Sequence, residues 1–173
     1  MKYFLLSIFS LFLLFANTAN SEQNIAFIDM DRVISKSNSG SSILNQLDDI
    51  NNKNLIFLKK EEKKFKEKEA KLISQKNIIS ATDFKTKVNK LKVEINNYNQ
   101  NRNKIIIEFK KLKVDNTNKL LKLINPILIK FSNEKKISIL LQKKDLIIGK
   151  TELDITEEVI KIINTEVKEF KIK

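Results

Sequence analysis

The 173-residue chain has no cysteine, no histidine and no tryptophan, only two glycines and a single proline. Each absence excludes something. Without cysteine there is no disulfide framework, no thiol redox chemistry and no thiolate metal site. Without histidine the commonest general base and the commonest imidazole ligand are missing. The one carboxylate pair that invites a catalytic reading, Asp29 and Asp31, lies where a strand runs into a helix. Such a pair reads better as a helix cap and a solvated side chain. The expectation is a protein that is not an enzyme and carries no catalytic residues, cofactor or metal. Gly40, Pro126 and Gly149 are the only glycines and proline, so residues 41–125 lack the punctuation that divides a globular domain. Two very long helices fit that stretch best.

What is present at the start is a lysine at position 2, an apolar run over residues 3–16 and a small polar region ending in Ala19, Asn20 and Ser21. This is the pattern of a cleavable signal peptide, residues 1–21, cut after Ser21 or, fitting less well, after Ala19. An uncleaved anchor is the rival, but the run falls short of the roughly 20 apolar residues that span a bilayer.

The net charge of +12 is unevenly placed. Residues 53–113 carry 18 Lys and Arg against 7 Asp and Glu, 18 − 7 = +11, while the rest of the mature chain has 14 of each and balances. Lysine and isoleucine are abundant throughout, and Arg32 and Arg102 are the only arginines. Compositional drift alone would spread the charge along the chain rather than gather it in the middle.

Residues 24–30 are short, apolar and rich in strand formers, and read as a strand buried on both faces. Residues 31–36 allow one helical turn or two, and residues 37–42 read as a loop ending in a helix N-cap. A first long helix over about 42–79 carries a diluted stripe at Ile43, Leu47, Ile50, Asn54, Phe57 and Glu61, continuing raggedly through Phe65, Leu72 and Ile79. After a turn and cap at residues 80–83, a second helix to about residue 131 carries Phe84, Val88, Leu91, Ile95, Tyr98, Arg102, Ile105, Phe109 and Leu112. Every step there is four or three, the signature of a coiled-coil seam. Helices of roughly 57 and 73 Å joined by a short turn predict an antiparallel hairpin. Pro126 should kink the second helix or mark the return to the body. Residues 137–141 and 146–148 read as a β-hairpin, with Gly149 ending its second strand. Asp154 or Thr156 then caps a final amphipathic helix with Ile155, Val159, Ile162, Ile163 and Val167.

The fold class is therefore α+β and mostly helical. Residues 1–21 form the signal peptide, 22–41 and 132–173 a β-rich oligomerisation body, and 42–131 a helical arm. Three short strands make a marginal sheet, so the body is expected to need partner chains to close it.

That order of elements resembles the Skp or OmpH-like family of periplasmic chaperones. The resemblance is carried by IAFIDMDRVISKSNSG at residues 25–40 and ISILLQKKDLIIGKTELDITEEVIKIIN at residues 137–164, with Asp154-Ile155-Thr156 before Glu-Glu-Val-Ile its most distinctive part. It implies a homotrimer whose strands close a small β-barrel, with three helical hairpins around a cavity. It further implies an ATP-independent periplasmic holdase whose partners are unfolded outer-membrane β-barrel proteins.

The residues expected to build the oligomerisation body are Ile25, Phe27, Ile28, Ile139, Leu141, Leu146 and Ile148. The hairpin seam is expected at Phe84, Val88, Leu91, Ile95, Tyr98, Ile105, Phe109 and Leu112. Apolar residues that no single two-helix seam can absorb are the candidate client contacts, Leu58, Ile73, Ile78, Val93 and Ile106. The lysines are either an ordinary solvated helix surface or a field that attracts acidic clients, anionic lipid or lipopolysaccharide. Specific nucleic-acid recognition is not expected, given so little arginine and an exported chain. A coiled-coil adaptor or envelope spacer, docking a partner at the hairpin tip, is the alternative to the holdase. A lysine-rich, non-specific binder of nucleic acid or lipopolysaccharide is a weaker third reading.

Overall fold

The computed structural model describes residues 24–172, so the signal peptide at 1–21 lies outside the described residues. The chain runs β1 (Asn24–Ile28), α1 (Met30–Lys36), α2 (Asn38–Ser74), α3 (Ala81–Glu134), β2 (Ile137–Gln142) and α4 (Thr156–Glu166), with 3-10 turns at Lys143–Asp145 and Thr151–Leu153. It is an α+β protein dominated by two long helices, as the missing glycines and prolines require.

The first long helix starts earlier than the sequence pattern suggested. Only Ser37 interrupts α1 and α2; its hydroxyl accepts the Gly40 amide at 3.3 Å and caps α2. The expected loop at 37–42 is thus mostly helix. Gly40 is needed there, because a Cβ would lie 1.8 Å from the carbonyl oxygen of Ile34, where the two helices meet. At the far end α2 stops at Ser74 rather than near residue 79. The chain turns through residues 75–80, and the Ser80 hydroxyl caps α3 by accepting the Asp83 amide at 3.1 Å.

Asp29 caps α1 by accepting the Arg32 amide at 2.9 Å, and Asp31 is exposed in the first turn, the cap and solvated side chain expected of that pair. Pro126 lies inside α3, which continues to Glu134. The proline therefore marks neither the end of the helix nor the return to the body. Its own ring is exposed, while Ile124 and Ile127 on either side are buried and hold this stretch of the helix against the core. Packing of that kind supports a helix locally short of one hydrogen bond.

At its C-terminus α3 ends in a left-handed residue, Lys136 (φ 55°). The Lys135 amide donates to the Phe131 carbonyl at 2.9 Å and the Lys136 amide to Asn133 at 3.2 Å, satisfying carbonyls the helix leaves free.

The core is mainly helical. Val33 of α1, Ile43 and Leu47 of α2, Leu120, Ile124, Ile127 and Phe131 of α3, and Val159, Ile160 and Ile163 of α4 pack together beneath Ile28 of β1. It extends into the bases of both long helices, so the buried unit is larger than its β-strands.

The β-hairpin expected after α3 does not form. β1 and β2 pair in parallel, with Ile25 opposite Ile139, Ala26 opposite Leu140 and Phe27 opposite Leu141. After β2 the 3-10 turn redirects the chain, and residues 146–149 are not a strand. They fold back across the sheet instead. A Cβ on Gly149 would come within 2.7 Å of the Phe27 ring, so Gly149 lies on that ring rather than ending a strand. The chain then returns to the other edge of β1, where Phe27 and Asp154 form a single parallel bridge and the Ile155 amide donates to the Phe27 carbonyl at 3.0 Å. The run of β-branched residues at 146–148 matched a strand in composition. The direction of pairing depends on contacts distant in the sequence, which composition does not carry.

Candidate functional site

No three His, Cys, Asp or Glu side chains among the described residues lie together as a metal site. The candidate functional surfaces are the arm and the exposed part of the sheet.

The arm is an antiparallel hairpin of α2 and α3. Cross-helix contacts fix its register: the Lys87 ammonium donates to Gln75 at 3.1 Å near the tip, Lys68 pairs with Glu94, and Tyr98 reaches Leu58 and Glu62. All eight expected seam positions, from Phe84 to Leu112, are half-buried and none is fully exposed, while Arg102, the polar exception, is exposed. On α2 the seam shifts by one residue from expectation. Leu58 is 8 % exposed and Phe57 points outward. Asn54 to Leu58 to Glu61 is an equally good four-three step, so periodicity could not choose between Phe57 and Leu58.

Tyr98 holds the middle of the arm together. Its hydroxyl lies 3.3 Å from the Leu58 carbonyl and 3.0 Å from the Glu62 carboxylate, and its ring packs on Phe65 with centroids 5.3 Å apart. Burial, then the Glu62 carboxylate, push the phenol above its ordinary pKa. It stays protonated and available as a donor across the physiological range.

Of the residues expected to be left over by the seam, Ile73, Ile78 and Val93 are exposed, Ile78 at 80 %. Ile106 is half-buried, and Leu58 belongs to the seam, so it is not available as a surface contact. Leu55, Ile56, Ile107 and Val114 add to the exposed apolar side chains, set among the lysines that give this region its +11 balance. They are dispersed along the arm rather than gathered into one patch.

On the body, the expected residues divide. Phe27 and Ile28 are buried within the chain, Leu146 is half-buried, and Ile25, Ile139, Leu141 and Ile148 are exposed. Ile147 and Ile148 are 99 % and 89 % exposed. The outer edge of β2 has no partner strand among the described residues. A cleft of about 520 Å³ lies at the start of β1, between Ile25, Phe131, Lys135, Leu153 and Glu158. An unpaired strand edge beside solvent-exposed isoleucines is the combination that associates with another chain.

The Asp154-Ile155-Thr156 step turns out to be the joint that closes the body. Asp154 accepts from Lys143 at 2.6 Å and from the Thr156 amide at 3.0 Å, and the Thr156 hydroxyl donates to the same carboxylate. That hydroxyl in turn accepts the Asp29 amide at 2.9 Å. One chain of hydrogen bonds thus links the end of β2, the start of α4 and the junction of β1 with α1. Burial raises the Asp154 pKa, but the Lys143 and Thr156 hydrogen bonds outweigh it and hold the carboxyl below its ordinary value. Ile155 is the formal N-cap, with Asp154 satisfying the Thr156 amide from one residue further out.

Sequence patterns missed Gln46 and the segment after α4. Phe170 and Ile172 pack against the core, beyond the amphipathic pattern that ends at Val167. The signal was present in the alternation of Phe170 and Ile172, but two residues are too few to read as a strand period.

The profile of the family described as outer membrane protein (OmpH-like) matches residues 24–163, from the first residue of β1 to near the end of α4. The fold is similar to the crystal structure of a candidate outer membrane chaperone (OmpH-like) from Caulobacter crescentus CB15, with a TM-score of 0.76. The two chains are 16 % identical, and the likeness covers 86 % of this chain and 88 % of that one. No curated protein sequence matches the chain. With the whole architecture from first strand to last helix matched by one profile, the chain belongs to the OmpH-like family.

Proposed function

We propose that this protein is an ATP-independent periplasmic holdase, exported by the signal peptide at residues 1–21, that binds unfolded outer-membrane proteins between helical arms and prevents their aggregation. The observation that carries the reading is the arm: a long hairpin with its seam satisfied and with Ile73, Ile78, Val93 and Ile107 still exposed among lysines. A holdase needs many weak apolar contacts that shield a client without selecting one conformation, and charge that keeps the complex soluble. The same basic field suits anionic lipid or lipopolysaccharide.

The working form is a homotrimer. The open edge of β2 and the exposed Ile139, Leu141, Ile147 and Ile148 favour closure by other copies of the chain. Residues 22–41 and 132–173 supply this body together with the bases of both long helices, and the rest of residues 42–131 is the arm.

A second reading, an adaptor that docks a partner at the hairpin tip, is favoured by one observation, the exposed Ile73 and Ile78 beside the turn. Dilution of a urea-unfolded β-barrel protein into buffer separates the two. The holdase suppresses light scattering at one trimer per client, whereas an adaptor leaves aggregation unchanged. Light-scattering mass of the mature protein should give three chains, and a stable monomer would contradict the trimer.

A further inference from the structure

The segment after α4 lies along the base of the arm in an unusual way. Among the described residues, the backbone of residues 168–172 is hydrogen-bonded to no other backbone and is held by one side chain, Gln46 of α2. The Gln46 Nε2 donates to the Phe170 carbonyl at 3.1 Å, and its Oε1 accepts the Ile172 amide at 3.1 Å. This is the two-point contact that a neighbouring strand makes with one residue gap, supplied here by a primary amide.

The amide is set for that task. Its Nε2 also donates to the Ser42 carbonyl at 3.2 Å and lies 3.3 Å from the Ser42 hydroxyl, which fixes which end is nitrogen. Rotating it by half a turn would oppose donor to donor and acceptor to acceptor. Phe170 and Ile172, two residues apart and so on one side of an extended chain, rest against the core, and the Lys119 ammonium lies 4.2 Å from the centre of the Phe170 ring. A polar recess of about 320 Å³, lined by Ser42, Asn45, Gln46, Asp49 and Glu169, continues the groove beside the seated segment.

We infer that the groove between the bases of α2 and α3 is a binding site for an extended peptide with an aromatic residue and an aliphatic residue two positions apart, and that the segment after α4 fills it in cis. Recognition through backbone atoms tolerates many sequences, while the two apolar seats require alternation. An unfolded amphipathic strand has that alternation, so the natural competitor is a strand of the client; this last identification rests on the holdase reading, and the groove itself does not. A client strand entering at the arm's base would displace the protein's own segment, which would make client capture at this point a competition rather than simple addition.

The probe is a fluorescein-labelled peptide of residues 167–173, VKEFKIK, read by anisotropy against the full mature chain. The Phe170→Ser/Ile172→Ser double variant, freed of its own occupant, should bind the peptide at least tenfold more tightly than the unsubstituted chain. Adding Gln46→Leu to that variant should abolish the gain, and a peptide with serine at both apolar positions should not bind. Equal affinity of the double variant and the unsubstituted chain, equal binding of the serine peptide, or no effect of Gln46→Leu would each overturn the inference. Should the double variant lose helical circular dichroism, hydrogen exchange on the unsubstituted chain decides. Excess unlabelled peptide should speed exchange in residues 168–172, and unchanged exchange would overturn the site. Suppression of aggregation without peptide binding would leave the holdase and remove the groove; peptide binding without suppression would do the reverse.

Discussion

The body and the arm share two helices but are stabilised in opposite ways. In the body, four helices and a strand bury Val33, Leu120, Ile124, Val159 and Ile163 almost completely. Each such side chain contributes about 1.5–3 kcal/mol through burial. Along the arm, the same helices touch only each other, and the seam from Phe84 to Leu112 stays half-buried throughout. Its cross-links are a tyrosine, an aromatic pair and exposed charge pairs, each worth little in water. A two-helix layer can bury one stripe per helix and no more, so the arm is left both compliant and partly apolar. The difference fits the proposed role, in which the body would carry assembly and the arm would adjust to what it holds.

The sharpest way to break this comparison is to remove equivalent apolar volume from each region. Ile124→Ala in the body should cost about 3–4 kcal/mol of unfolding free energy. Ile107→Ala, the same truncation on the arm, should change it by less than about 0.5 kcal/mol. Urea denaturation measures both, and similar losses would show that the arm is as tightly packed as the body.

Asp154→Asn tests the joint that closes the body and should cost about 1–2 kcal/mol at neutral pH, since it weakens the acceptor shared by Lys143 and Thr156. Because the folded-state pKa of Asp154 is depressed, its contribution is complete above the ordinary aspartate value of about 4 and is lost as pH falls through the folded value. The gap between unsubstituted protein and variant should therefore close under acid, which denaturation at pH 7 and pH 3 would reveal. A gap independent of pH would remove the charge from the explanation.

A smaller effect is expected of Tyr98→Phe, about 0.5–1 kcal/mol, and it should be local. Hydrogen exchange should quicken around residues 58–65 and 95–102 while the amides of α4 keep their protection. An effect of similar size and opposite sign is expected of Lys136→Gly at the left-handed end of α3, a gain of about 0.5–1 kcal/mol seen as a raised Tm.

How much of this was legible beforehand follows the range of the interactions. The long helices were, because their evidence is local: no glycine or proline, and apolar residues at steps of four and three. The Ser80 cap and the reading of Asp29 as a cap and Asp31 as a solvated side chain were legible for the same reason. Leu58 was misplaced because Phe57 and Leu58 both satisfy the helical period, and only the placement of the opposing helix selects between them. The second strand of the hairpin was wrong because 146–148 is apolar for another purpose, leading the chain back over Phe27 and leaving Ile147 and Ile148 exposed. Gln46 could not be picked out from the sequence. Its partners in the segment after α4 lie more than 120 residues away, and a glutamine on a helix surface carries no mark of what it will meet.

The central claim is that the exposed apolar residues of the arm hold clients while the body assembles the protein. It is tested most directly by replacing Ile73, Ile78, Val93 and Ile107 together with serine and measuring light scattering as a urea-unfolded β-barrel protein is diluted with one trimer equivalent. The account predicts that the unsubstituted protein suppresses aggregation and that the variant, with unchanged mass and helix content, loses most of that suppression. Full suppression by a well-folded variant, or none by the unsubstituted protein, would contradict it.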